Sequence, residues 1–151
     1  SKISSESVSL SIIASVDSYN ENYDGDDPSV YLSMYKYCLN NDDIGCANSN
    51  LNNAMKFDSK NEEYKALSFF LKDYIEVLNR AQKTLNRELY EEAIRDYNNI
   101  IKDYPDGALP YYKRGEVYRT LKNYANAIED FKKACDLGND RSCEWYYKQC
   151  R

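Results

Sequence analysis

The strongest constraint on the fold of this chain is an internal repetition at an interval of 34 residues. Residues 90–97, YEEAIRDY, match residues 124–131, YANAIEDF, at their apolar and small positions. The same offset relates three further pairs: Val77 and Tyr111, Ala81 and Gly115, Ile100 and Ala134. An interval sustained over a whole unit indicates a repeat architecture, in which units stack because a single unit cannot bury its own apolar face.

Each unit is predicted to be a pair of helices. Apolar and small residues recur at three- and four-residue steps, as on one helix face: Tyr111, Gly115, Tyr118 and Leu121, then Tyr124, Ala127, Ile128, Phe131 and Ala134. Residues 105–107, Pro-Asp-Gly, predict a turn, and Pro110 falls in the first turn of the next helix, where its missing N–H costs nothing. Gly138 can end a helix, and Asn139 or Asp140 can cap the following one.

This pattern resembles the tetratricopeptide repeat, a helix pair with characteristic residues at fixed steps. The matching residues in 108–141 are Tyr111, Gly115, Tyr118, Tyr124, Ala127, Phe131 and Ala134. In that unit Arg114 stands where the family has Leu, and Asn139 where it has Pro. The preceding unit matches at Ala81, Tyr90, Ala93, Tyr97 and Pro105, but Thr84 replaces the usual Tyr. Trp145 lies 34 residues after Tyr111, at the place of the family's Trp.

N-terminal to the two clear units, the repeat pattern becomes weaker and its 34-residue frame is interrupted. Residues 31–38 and 44–58 fit the two helices of a divergent unit, after which the repeat frame slips by twelve residues. A continuous helical pattern from Glu62 to Leu85 predicts one first helix lengthened by about three turns. Near the N-terminus, residues 8–12 alternate like a strand and residues 12–16 suit a helix; helix is favoured because no second strand is available to pair.

We therefore predict an all-α fold, an α-solenoid of stacked antiparallel helix hairpins with about three repeats and a C-terminal capping helix. The predicted segments of this one domain are 1–27 (an N-terminal helix and acidic loop), 28–61 (divergent repeat), 62–107 (repeat with extended first helix), 108–141 (repeat) and 142–151 (capping helix).

The chain has five cysteines, and two pairs share one spacing. Seven residues separate Cys38 from Cys46, and seven separate Cys135 from Cys143, which leaves Cys150 over. A disulfide within either pair remains open, and so does the alternative that several of the five are free thiols that behave as small buried hydrophobes. A Cys135–Cys143 bridge is implied by the resemblance of this spacing to disulfide-bearing helical repeats. A zinc site is not predicted, since no Cys-x-x-Cys pair occurs and three thiolates need a fourth ligand.

No catalytic or metal centre is predicted. The chain contains no His, which removes the commonest general base and the Ser-His-Asp and Cys-His arrangements. Residues 20–25, NENYDG, imitate the start of a calcium loop, but its twelfth position is Tyr31 instead of the bidentate Glu. We interpret that segment as a polar turn, and we expect neither enzymatic activity nor a cofactor.

Charge and hydropathy restrict the partner. The net charge of −5, with acids and bases interspersed, argues against nucleic-acid binding. No run of eighteen apolar residues occurs, so no membrane span is predicted. Ser1-Lys2 lacks an initiator Met and an apolar signal core, so the compartment stays open: a soluble chain, either cytoplasmic or exported with its signal removed.

In the family that this chain resembles, first helices line a concave groove that holds a protein or peptide. The resemblance implies these groove residues: Leu32, Lys36, Asn79, Gln82, Asn86, Tyr112, Glu116, Arg119 and Tyr146. It also places Leu39, Asn40, Ile75 and Leu109 there, although Leu32, Ile75 and Leu109 are equally consistent with helix packing. Some members of the family bind the C-terminal carboxylate of chaperone tails through a set of Lys, Asn and Arg side chains. Leu32, Lys36 and Leu109 do not fit their positions in that set, so binding of chaperone tails is not expected.

The predicted function is thus a protein–protein interaction scaffold that binds a peptide or protein segment in its groove. The alternative is self-association, in which the last helix, with Trp145, Tyr146 and Tyr147, stacks on a second copy to form a homo-oligomer.

Overall fold

A computed structural model describes residues 27–150, which form seven α-helices and no strand. The helices are α1 (Pro28–Asn40), α2 (Ile44–Phe57), α3 (Glu62–Asn86), α4 (Tyr90–Asp103), α5 (Ala108–Thr120), α6 (Tyr124–Asp136) and α7 (Asp140–Gln149). The predicted all-α class is confirmed. The helix and acidic loop predicted for 1–27 lie, apart from Asp27, outside the described residues.

Three helix hairpins, α1–α2, α3–α4 and α5–α6, share one turn geometry. Their central residues Asp42, Glu88 and Lys122 have positive φ angles of 65°, 59° and 59°. The next amide closes each turn onto the last turn of the first helix: Asp43 to the Cys38 carbonyl at 2.9 Å, Leu89 to Thr84 at 3.1 Å and Asn123 to Tyr118 at 2.8 Å. Glu88 and Lys122 are separated by one repeat period of 34 residues. Asp42 and Glu88 are separated by that period plus twelve residues. The first hairpin is therefore built like the others, and the extra residues lie between its turn and the next.

Small residues mark the close contacts within the hairpins. Ala47, Ala93 and Ala127 occupy the same place in the three second helices, and all three are 0 % exposed. A Cβ atom added to Gly115 of α5 would lie 3.1 Å from the Phe131 ring of α6. The helices approach so closely here because these positions carry little or no side chain.

The extra residues lengthen α3, which runs unbroken for 25 residues as the pattern from Glu62 to Leu85 predicts. Asn61 caps it by accepting hydrogen bonds from the amides of Glu63 and Tyr64 at 3.0 and 3.3 Å. Its N-terminal half packs on the first hairpin in a cluster that we call the N-terminal core: Tyr35, Cys38, Ala47, Leu51, Ala54, Tyr64 and Leu71. Its C-terminal half packs in the C-terminal core: Tyr74, Ala81, Ala93, Ile94, Tyr97, Ile100, Leu109 and Val117. One helix thus joins two cores.

A buried ion pair explains how Arg114 can replace the apolar family residue. Its guanidinium donates to both carboxylate oxygens of Asp130, at 2.6 and 2.8 Å, and to Asn98 Oδ1 at 2.6 Å. It also lies 5.6 and 5.9 Å from the centroids of the Tyr111 and Tyr118 rings. Asp130 is only 3 % exposed, and its hydrogen bonds raise the pKa of Arg114. The arginine ties α5 to α6 and α4 through polar contacts instead of apolar packing.

Replacing this arginine by the family's residue, Arg114→Leu, is expected to lower the free energy of unfolding by about 3 kcal/mol, because Asp130 would keep a buried charge without a partner. The double variant Arg114→Leu with Asp130→Asn should recover much of this loss, since the unpaired charge is gone. Urea unfolding of the three proteins measures both effects. A single variant as stable as the parent would contradict the assignment.

Candidate functional site

Two disulfide bonds bridge two of the turns. Cys38 is bonded to Cys46 across the α1–α2 turn, and Cys135 is bonded to Cys143 across the α6–α7 turn. Cys150 is free and exposed. The structure thus pairs four of the thiols that the sequence left open.

These two turns, about a hundred residues apart in sequence, contact each other. The Asn40 side chain donates to the Leu137 carbonyl at 3.1 Å and accepts from the Ala108 amide at 3.1 Å. The Asn40 carbonyl in turn accepts from the side chain of Asn139 at 2.8 Å. Because the first amides of a helix have no acceptor within it, Asn40 supplies a cap for α5, whose own N-cap Gly107 has no side chain to do so.

Asn41 and Tyr37 extend the contact along α7. The Asn41 side chain donates to the Gly138 carbonyl at 3.2 Å and accepts from the Asp140 amide at 3.0 Å. The Tyr37 hydroxyl donates to the Asp140 carboxylate at 3.0 Å. Together with the ion pair between Lys113 Nζ and Asp42 Oδ2, at 2.7 Å, these make seven polar contacts, which we call the clasp.

The clasp holds the α1–α2 turn over α3, α4 and α5, and a cavity of about 190 Å³ remains between them. Its lining combines apolar, amide and charged side chains: Asp42, Ile44, Ile75, Leu78, Asn79, Gln82, Tyr97 and Lys113. Ile75 and Leu78 are partly buried, while Asn79 and Gln82 are exposed. The cavity therefore offers amide donors and acceptors beside an apolar surface, with an ion pair at one side.

Of the groove residues implied by the sequence, the structure brings Asn79 and Gln82 together in this cavity. Asn86 continues the same face of α3, where Gln82 Nε2 donates to its side-chain oxygen at 3.1 Å. Outside the cavity lining, Lys36 lies exposed on α1, and Arg119 pairs with Glu116 of the same helix at 2.9 Å.

The larger apolar side chains of the implied groove mostly pack within the protein. Leu32 packs against the N-terminal core and Tyr112 against the C-terminal core, and the Tyr112 ring lies 6.0 Å from that of Phe131. Tyr146 is half-buried, with its ring 5.6 Å from that of Tyr147. Leu109, for which the sequence left packing and groove equally open, is 0 % exposed and belongs to the core.

Sequence reasoning missed Asp42, Ile44 and Lys113 as cavity residues. Asp42 and Lys113 are 71 positions apart, and no periodic pattern signals a contact between them. An asparagine-rich turn, residues 40–43, was visible in the sequence, but turns of this composition are common on protein surfaces.

Several tyrosines around the cavity and the clasp are held in the neutral form. Burial raises the pKa of Tyr97 to about 12, and the negative charge of Asp42 adds to the effect. Burial likewise raises the pKa of Tyr74 and Tyr37, and for Tyr37 the hydrogen bond to Asp140 acts in the same direction. Burial alone raises the pKa of Tyr35 to about 12. These phenols therefore remain protonated at neutral pH.

We expect the free energy of unfolding to fall as the pH rises from about 10 to about 12. In the unfolded chain the phenols lose their protons near pH ~10, whereas Tyr35 and Tyr97 keep theirs to about 12 in the folded chain, so deprotonation favours unfolding in this window. Urea unfolding at a series of pH values measures the slope, and Tyr97→Phe should make it shallower. A tyrosine absorbance titration of the folded protein with a single step near pH ~10 would contradict the burial.

Comparison with known proteins bears on the C-terminal half of this architecture. Residues 108–141, which form α5, α6 and the turn after them, match the family model of the tetratricopeptide repeat. No curated protein and no solved structure matches the chain. The segment 108–141 is a tetratricopeptide repeat, as its sequence resemblance predicts, and the described helices place it in an α-helical repeat array. Repeats of this kind are in general protein-interaction modules.

The described residues contain neither a membrane-spanning helix nor a cluster of metal-binding side chains. None of the helices between 27 and 150 is both long and apolar enough to cross a membrane. Within that same part of the chain, no group of three or more Cys, Asp or Glu side chains is arranged to hold a metal ion.

Proposed function

We propose that this chain is a protein-binding scaffold, and that the face of α3 carrying Asn79, Gln82 and Asn86 is the groove for a peptide segment of its partner. The supporting observation is the cavity beside Asn79 and Gln82, with Ile75 and Leu78 on its wall. At about 190 Å³ it compares with a cavity of ~150 Å³ that accepts benzene, so it has room for one aromatic or large aliphatic side chain.

The amides explain how the rest of a peptide would be held. Asn and Gln side chains each offer two donors and an acceptor, which suits the backbone of an extended segment. Asn79, Gln82 and Asn86 follow one another along one face of α3 at three- and four-residue steps, so they can contact consecutive parts of such a segment. Leu32 and Tyr112 are not part of this proposal, because neither lines the cavity.

Selection from a displayed library of random peptides tests the groove directly. We expect selected peptides to bind the double variant Asn79→Ala with Gln82→Ala at least about tenfold more weakly than the parent, because a pocket residue and backbone partners are lost. Replacement of two exposed residues on the N-terminal half of α3, Glu63→Ala with Lys72→Ala, is the matched control and should leave affinity unchanged.

Two results would refute this groove. Peptides that bind the parent and the Asn79/Gln82 variant equally would place the binding surface elsewhere. A library that yields no binder at all, from protein whose circular dichroism confirms the fold, would argue against peptide capture.

A second function, self-association, is favoured by a difference between equivalent residues of two units. Tyr90 is half-buried and Ile94 is 8 % exposed beneath α5, whereas their counterparts Tyr124 and Ile128 are 54 % and 36 % exposed. The helix beside the second pair, α7, has ten residues, three fewer than α5. Tyr147 at the end of α7 is also exposed.

We propose that Tyr124, Ile128 and Tyr147 form a strip that packs against a second copy of the chain. This strip replaces the sequence-based proposal of Trp145 and Tyr146 as main contacts, because Trp145 is half-buried with its ring 4.4 Å from that of Phe131. An exposed apolar strip on a helix that its neighbour leaves partly uncovered is typical of an interaction surface.

Sedimentation velocity over a wide concentration range tests this second function. The parent is expected to dimerise, and Tyr124→Lys with Ile128→Glu should raise the dimer dissociation constant at least about tenfold by burying charge in the interface. Phe69→Lys, at the most exposed large hydrophobic residue within 27–150 (76 %), is the matched control and should not change the dissociation constant. A parent that stays monomeric at every concentration would rule this function out.

A further inference from the structure

The two disulfide bonds lie at the two turns that form the clasp. Within residues 27–150 six turns connect the seven helices, and the α1–α2 and α6–α7 turns are the two that carry a disulfide. They are also the two turns joined by the hydrogen bonds of Asn40, Asn41 and Asn139. The other hairpin turns, at Glu88 and Lys122, reach the same conformation with no covalent link. The Cys38–Cys46 disulfide is therefore not needed to shape its turn, and the place of both disulfides beside the clasp calls for another explanation.

We propose that the clasp is a lock controlled by thiol chemistry. With both disulfides formed, the α1–α2 turn stays in contact with α5 and α7, and its residues form one wall of the cavity on α3. A dithiol reductant opens it: for each disulfide the reductant gives two electrons and two protons, the S–S bond becomes two thiols, and the reductant leaves as its own disulfide.

The geometry explains why a tether at these positions matters. Cys38 precedes Asn40 by two residues, and Cys143 follows Asp140 by three, so each disulfide restrains the backbone next to the clasp. At the partly exposed residues Tyr37, Asn41 and Lys113, the polar contacts of the clasp compete with water, whereas Asn139 makes its contact from a buried position. Such contacts persist when the turns are held in register and weaken when the turns move.

Opening does not require the rest of the fold to change. The first hairpin is also anchored on α3 through Leu51, Tyr64 and Leu71, which share the N-terminal core with Cys38 but make no contact of the clasp. A shift of the turn would remove Asp42 and Ile44 from the cavity wall and free Lys113 from its ion pair. If the proposed groove on α3 is correct, on which this consequence rests, reduction would widen it for a partner.

Amide hydrogen exchange of the full chain tests the lock without any partner. The reporters are the amides of Ala108 and Asp140, because Asn40 and Asn41 side chains are their acceptors. We expect dithiothreitol to speed their exchange at least tenfold while the amide of Tyr97, in the middle of α4, keeps its rate. In the oxidised protein, Asn40→Ala should speed exchange at Ala108, and Thr120→Ala, at the equivalent place of the α5–α6 hairpin, should not.

A second measurement does not depend on a variant: the rate at which N-acetoxysuccinimide acetylates Lys113 should rise on reduction, since its partner Asp42 withdraws. Unchanged reporter amides and an unchanged Lys113 rate after reduction would overturn the proposal. Exchange that rises equally at Tyr97 would also overturn it, because the disulfides would then support the whole fold. Failure of the peptide selection with a positive exchange result would count against the groove alone.

Discussion

The rest of the structure depends on the continuity of α3. Helix hairpins bury their apolar faces only against neighbours, and in this chain a single 25-residue helix provides a neighbour for two separate cores. Leu71 packs in one core and Ala81 in the other, so a single continuous helix joins the first hairpin to the later repeats. The turn of this first hairpin contacts α5 and the α6–α7 turn.

Where the ends of the array meet, contacts are polar instead of apolar. Asn139 illustrates this, since its side chain caps α7 by accepting from Ser142 at 2.8 Å and donates to the Asn40 carbonyl at 2.8 Å. Its family counterpart is Pro, which has no such groups. Arg114, the other departure in that repeat, likewise makes polar contacts with Asp130 and Asn98. These two departures from the tetratricopeptide pattern thus make polar contacts between helices and between turns.

Much of the fold was predictable because it follows from the local spacing of apolar and small residues along the chain. The 34-residue offset, the small residues at Ala93 and Ala127, and the unbroken pattern that begins at Glu62 reflect contacts within a hairpin or between neighbours. The candidate site was predictable only in part. Asn79 and Gln82 were implied by their positions on a first helix, whereas the packing of Tyr112 against the C-terminal core involves other hairpins, which a local pattern does not contain.

The sequence by itself determined the helices, the hairpins and the repeat, because each follows from the spacing of apolar residues and from turn residues a few positions apart. The tertiary structure alone decided that Asn40 and Asn41 meet residues 137–140 and that Asp42 faces Lys113. The physical reason is that these contacts join polar groups about 70 to 100 residues apart, which no periodicity in the sequence relates and which meet only once the helices are packed.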